Sequence, residues 1–163
     1  MNDEIQPWWF TIEPYKGESI SHFLGRFRRE NELTRSGLGN ITGLYGAIAR
    51  WEKFRFNPPP SIEQLEKLSE IVKVDVEVLQ SMLPFEPMKM KPIRLCTECY
   101  GEKPYHRMEW QYKSIYKCDR HQLNLLSECL NCKARFKVPA LWVDGLCHRC
   151  FTPFTDMSKE KKL

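Results

Sequence analysis

The sequence predicts an α+β chain: a small helical N-terminal domain with a helix-turn-helix-like unit, then tandem cysteine-stapled finger units. Three observations carry this reading. Residues 1–86 space their apolar side chains at helical intervals and contain no cysteine. Pro84, Pro87 and Pro92 then break the pattern, because proline fixes φ and disfavours helix in the residue before it. All seven cysteines follow, from Cys96 to Cys150. The 163 residues divide into a helical domain 1–86, a linker 87–94, finger units 95–127 and 128–155, and a charged tail 156–163. Halves this small bury only about 60–65% of their unfolded surface, so a staple is expected.

Ser19 is placed to cap a first helix whose Ile20, Phe23, Leu24 and Phe27 share one face, with Arg26, Arg28 and Arg29 mostly on the wet side. Gly37, Gly39, Gly43 and Gly46 divide the next stretch into short helices. After Pro58-Pro59-Pro60, Ser61 and Gln64 fit a capping box, and Leu65, Leu68, Ile71 and Val72 follow at helical spacing. Asp75 can cap a last helix bearing Val78, Leu79 and Met82. The pair at 61–83 resembles a helix-turn-helix, yet its second helix offers no Lys or Arg to base edges, which favours core packing. In the last unit Phe136, Val138, Ala140 and Trp142 alternate ahead of Asp144-Gly145, which predicts a β-hairpin.

Composition narrows the class. Hydrophobic residues make up 42% and aromatics 12%, enough for a folded core. The opening MNDEIQPWWF has neither the basic nor the apolar region of a signal peptide, and no apolar run nears the ~18 residues of a membrane span. A cytoplasmic protein is therefore expected, where cysteines bind metal more often than they form disulfides. The formal charge of +4 divides into −2 over residues 1–85 and +6 over residues 86–163.

The cysteines come in pairs, each with two intervening residues: Cys96/Cys99, Cys118/His121, Cys129/Cys132 and Cys147/Cys150. Seven thiols and one imidazole make eight ligands, enough for two closed tetrahedral sites. A tight turn lets both members of a pair meet one ion while backbone N–H groups face the sulfurs. Two structural Zn²⁺ ions are predicted, which turns the cysteine-stapled units into zinc ribbons or fingers. Disulfides would leave one cysteine unpaired, and an iron–sulfur cluster suits only the all-cysteine quartet. Sequential pairing puts 96/99/118/121 in one site and 129/132/147/150 in the other; a cross-braced arrangement would alternate the pairs. The spacing favours the sequential form. With thiolates and zinc counted, the net charge falls to about +1, far from the footprint of a protein held mainly by phosphates. His22, His106 and His148 are spare, expected at the surface or in packing, with His148 close enough in sequence to interact with its site. Phosphate loops, dinucleotide fingerprints, zinc-protease and nucleophile-elbow motifs are all missing, so no catalytic residue is predicted.

Gly17-Glu18-Ser19-Ile20-Ser21-His22-Phe23-Leu24-Gly25-Arg26, after Pro14-Tyr15, resembles the N-terminal signature of the TniQ/TnsD transposition family. Leu95 to Cys99, Pro104 to Gln111, Cys118 to His121 and Leu125 to Cys132 resemble that family's zinc region. Thr97, Leu130 and Gln122 depart from it where many relatives have proline, proline and glycine. The short length is similar to the TniQ of type V CRISPR-associated transposons. The resemblance implies a non-catalytic bacterial adaptor, nucleoid-associated when assembled. It would join a type V effector with its guide and tracrRNA on target DNA to the AAA+ ATPase TnsC, with DNA or RNA contacts inside the complex. Neither a membrane nor a small-molecule substrate is implied. The alternative is a sequence-specific target-selection factor that reads DNA through its helix-turn-helix.

Some residues suit those roles. Trp8, Trp9 and Phe10 are either partner anchors or a lid on the helical core. Arg50, Trp51, Lys53 and Arg55, interleaved with Phe54 and Phe56, form a strip able to stack on bases or rest on phosphates, or else to pack in the core. Lys89, Lys91 and Arg94 in the linker are further candidates for nucleic-acid contact.

Overall fold

The computed structural model describes residues 9–157. Five short helices precede the cysteines: α1 (Ile20–Glu30), α2 (Arg35–Thr42), α3 (Gly46–Glu52), α4 (Ile62–Val72) and α5 (Val76–Ser81). A sixth, α6 (Thr97–Glu102), begins at the first cysteine pair, and 3₁₀ turns form at Met108–Gln111 and Pro139–Leu141. No helix among the described residues is long and apolar enough to cross a membrane.

The caps follow the sequence. The Ser19 hydroxyl accepts from the His22 amide, and Ser61 and Gln64 close both bonds of a capping box. Asp75 stands at the N-cap of α5 without a side-chain bond. Ile20, Phe23, Leu24 and Phe27 are fully buried with Leu38, Ile48, Trp51, Leu65, Leu68 and Leu79. Each such side chain contributes about 1.5–3 kcal/mol through burial. α4 and α5 pack on one another and serve this core; the exposed side of α5 carries Glu77, Val78 and Gln80.

The strands of an α+β fold do not form among the described residues. Pairing is limited to isolated bridges, including Leu95–Leu126, Glu128–Arg135 and Leu146–Pro153. The hairpin expected from Phe136 to Trp142 is interrupted by Pro139, which has no N–H to pair and opens a 3₁₀ turn instead. Trp142 folds back so that its indole donates to the Lys137 carbonyl. Gly145 does take positive φ (71°), but the bridge that follows it, Leu146–Pro153, encloses the Cys147/Cys150 turn and does not pair with 136–142.

A second core surrounds the cysteines and includes Leu95, Tyr100, Trp110, Phe136, Trp142 and Phe154, with Phe54 added from beyond α3. The segment between the cores is fastened down. The Lys89 amide donates to the Gln111 carbonyl, and the Gln111 side-chain amide donates to the carbonyls of Lys89 and Pro92.

α1 lies directly on the 3₁₀ turn Pro139–Leu141. The Ser21 hydroxyl accepts from the Ala140 amide and donates to the Glu52 carbonyl. Arg29 donates to the carbonyls of Ala140 and Trp142. A Cβ on Gly25 would stand 2.2 Å from the Ala140 carbonyl oxygen, so only glycine permits this approach. The arginines expected on the wet side of α1 are therefore structural: Arg29 holds this seam, Arg26 pairs with Glu18, and Arg28 pairs with Glu52.

Candidate metal centres

Three of the four ligand pairs are built the same way. The amides of Gln122, Lys133 and Phe151 donate to the carbonyls of Cys118, Cys129 and Cys147. The amides of those cysteines in turn donate to Leu123, Ala134 and Thr152. The residue after each pair takes left-handed φ: 58° at Gln122, 68° at Lys133 and 65° at Phe151. The first pair differs: Cys96 is the N-cap of α6, and its sulfur accepts from the Cys99 amide.

These turns gather the side chains into two quartets, Cys96/Cys99/Cys118/His121 and Cys129/Cys132/Cys147/Cys150, each with its ligand atoms within 4.8 Å of one another. The grouping is sequential rather than cross-braced. In the first, the Cys99 and Cys118 sulfurs are 3.6 Å apart and His121 Nδ1 stands 3.5–3.7 Å from all three sulfurs. In the second, Cys129–Cys150 and Cys132–Cys147 are each 3.6 Å apart. These distances are much longer than a disulfide bond of ~2.05 Å. Each quartet has the donors to hold one metal ion.

The surroundings orient the ligands. His121 Nε2 lies 2.7 Å from the Glu102 carboxylate, which also takes an ion pair from Arg120. Nε2 is therefore the protonated nitrogen, leaving the Nδ1 lone pair to face the sulfurs. The hydrogen bond from His121 holds the Glu102 carboxyl below its usual range. In the second quartet the Thr152 hydroxyl and the Asn131 side-chain amide, at 3.1 and 3.4 Å, pull the Cys150 thiol down to about 5. Backbone amides of Asn131 and Cys132 point at Cys129, and that of Arg149 at Cys147. His148 is exposed and belongs to neither quartet.

The other candidates are placed differently. Trp8 lies outside the described residues. Trp9 packs half-buried against the helical core, as a lid would, while the Phe10 ring is exposed and its backbone bonds the Asn31 side chain. Trp51 has no exposed surface and offers no face to a base. Arg94 is buried, its guanidinium donating to the carbonyls of Ile115 and Tyr112, so it serves the fold rather than a nucleic acid. Arg50, Lys53, Arg55, Lys89 and Lys91 are exposed.

A buried polar seam between the halves went unread in the sequence. Glu18 is fully buried and accepts from His22 and Arg26. Burial alone would raise its carboxyl, but those two partners outweigh it and hold it ionised below the usual range. His106 is fully buried, and burial pushes it down to about 3. As a neutral ring it donates from Nε2 to Gln111 Oε1 and accepts at Nδ1 from the Ser19 hydroxyl. Of the three spare histidines, His22 and His106 thus pack in this seam, and His148 lies at the surface. A legible signal existed: Ser21 and Gly25, four residues apart, leave a small-residue gap on α1 where another segment can approach, with Arg29 one turn further on the same face.

The TniQ family model matches residues 9–125, which span α1 through α6 and the whole first quartet. No curated protein matches the chain.

Proposed function

The chain belongs to the TniQ family, and on that premise we propose that it is a non-catalytic adaptor in RNA-guided DNA transposition. It joins a type V CRISPR effector with its guide and tracrRNA on target DNA to the AAA+ ATPase TnsC, and so helps choose the insertion site. The observation that carries this reading is the match over residues 9–125, which takes the helical core, the Ser19–His106 part of the seam and the first quartet as one unit. The family is one of transposition-associated factors. Bridging two partners also needs separated anchors, and exposed Phe10, Phe85 and Phe151 stand near α1, beside Tyr112 and after the last ligand pair.

Each quartet holds one structural Zn²⁺ in this reading. A tetrahedral ion with Zn–S of ~2.3 Å and Zn–N of ~2.0 Å sets S–S edges near ~3.8 Å and S–N edges near ~3.5 Å. The 3.6 Å and 3.5–3.7 Å separations fit those edges. All eight ligands are protein side chains, the donor set of a structural site, and the metal supplies folding energy to a half with little secondary structure. The adaptor works in the bacterial cytoplasm, on the nucleoid when assembled.

Direct reading of DNA through α4 and α5 finds less support, since the exposed side of α5 presents Glu77, Val78 and Gln80 without a cation. Pairwise pull-downs at low salt test the adaptor role. The metal-loaded chain is expected to retain TnsC and, separately, the effector–guide–target complex. Association with neither would overturn the proposal, and tight sequence-dependent binding to duplex DNA by the chain alone would favour the alternative.

A further inference from the structure

A cleft of about 630 Å³ opens between the helical half and the second cysteine unit. Three separate segments supply its cations. Lys53 and Arg55 follow α3, Lys91 lies in the proline segment, and Arg135 and Lys137 come from the loop between Cys132 and Cys147. No acidic side chain lines it. All five cations are exposed, and among the described residues none is in an ion pair; the paired acids Glu18, Glu52 and Glu102 all lie elsewhere. The chain carries 21 acidic against 25 basic residues, so five cations gathered without one acid reflect how the fold places them. Met90, Pro92 and Phe136 add apolar surface to the same cleft.

We propose that this cleft holds a single polynucleotide strand by its phosphates, without selecting its sugar. Unpaired cations on several sides can neutralise successive phosphates and release their counterions, which is the main source of sequence-independent affinity. The apolar surface gives the base faces somewhere to rest. The volume is that of a small-ligand pocket. Cations on several sides of a pocket of that size suit one strand, whose phosphates they can surround, better than a duplex. The site differs from the basic-aromatic strip and linker cations legible in the sequence, because Trp51 of the strip and Arg94 of the linker are buried elsewhere and Arg135 and Lys137 join it. It rests on the adaptor reading and deepens it, giving the nucleic-acid contact expected inside the complex a place in the fold and a strand to hold.

Fluorescence anisotropy with the full metal-loaded chain tests this, using labelled single-stranded DNA and RNA of one mixed sequence and the corresponding DNA duplex. Both single strands are expected to bind within about threefold of one another, more tightly than the duplex, and to weaken steeply with salt. The variant K53E/R55E/K137E is expected to lose at least about tenfold in single-strand affinity and to flatten the salt slope. The matched variant K67E/K113E/K117E, which reverses three exposed charges outside the cleft, should change by less than about threefold. Metal content and circular dichroism report whether each variant folds. If the first does not, Lys53→Ala and Lys137→Ala singly are each expected to cost about two- to fivefold. Equal loss in cleft and control variants, no loss in the cleft variants, no binding at low salt, or a tenfold preference for the duplex or for one sugar would overturn the proposal. Retention of TnsC by the cleft variant separates this failure from failure of the adaptor role.

Discussion

The Ser19 hydroxyl that caps α1 also binds Nδ1 of His106, at 2.9 Å and 87 residues further along the chain. One oxygen thus starts the first helix and fastens it to the cysteine-rich half. The Ser19 amide adds a bond to the His106 carbonyl, and the Gly17 carbonyl accepts from Met108. The stretch 17–26, which resembles the N-terminal signature of the family, supplies the helical side of the seam between the two cores.

Ser19→Ala removes both the cap and the partner of a buried ring nitrogen. Loss of a cap costs ~1 kcal/mol and an unsatisfied buried acceptor about 1–3 kcal/mol. A total loss of about 2–4 kcal/mol is expected in urea unfolding of the metal-loaded protein, against about 1 kcal/mol for the exposed cap variant Ser61→Ala. Equal losses would show that the His106 bond contributes nothing.

Acid should weaken the seam through His106. Burial lowers its folded-state pKa to about 3 from an ordinary 6.5, so below 6.5 the unfolded chain takes up a proton that the folded chain refuses. Its contribution is fully present above pH 6.5 and is lost as pH falls from there toward about 3. His22, also lowered by burial despite Glu18 beside it, acts in the same direction. The stability gap between wild type and His106→Asn should therefore shrink by about 1 kcal/mol between pH 7 and pH 5.5. Metal content measured at each pH keeps ligand protonation out of the comparison. A constant gap would contradict the assignment.

Gly25→Ala should loosen the packing of α1 on Ala140, where the added carbon would stand 2.2 Å from a carbonyl oxygen. Backbone must shift, and a loss of about 2–3 kcal/mol or more is expected from such overpacking. Gly46→Ala is the contrast: the nearest atom, 3.9 Å away, is the tip of the Arg50 side chain, and helix propensity favours alanine. Thermal unfolding of both variants should move in opposite directions.

Glu102 orients His121 without touching the metal position. Glu102→Ala should weaken the first site about tenfold, the low end for such partners because the carboxylate is 47% exposed. Chelator competition should then release one ion earlier and leave the all-cysteine site unchanged. Simultaneous early release of both would mean that the sites fold as one.

The eight ligands were legible because metal chemistry fixes both residue type and spacing, and the left-handed residue after three of the pairs supplies the turn. Gln122 holds that left-handed conformation with a side chain, and so bears a strain that glycine would not. The helices were legible through Ser19, Ser61 and the apolar spacing of α1 and α4. Alternation at 136–142 does not become a hairpin because Pro139 has no N–H to pair and starts a 3₁₀ turn. Burial of Trp51 and Arg94 was hidden because aromatics and cations alternate alike on a strip and at a packed corner; only the partners Ile115 and Tyr112, far along the chain, distinguish the two for Arg94. The cleft needs Lys53 and Lys137 brought together, which spacing along the chain does not encode.

The most direct measurement of the adaptor role is a capture experiment with the effector–guide–target complex immobilised and TnsC in solution, with and without this chain. TnsC is expected on the effector complex only when the metal-loaded chain is present, and to be lost after chelation. Equal capture of TnsC without the chain would contradict the account.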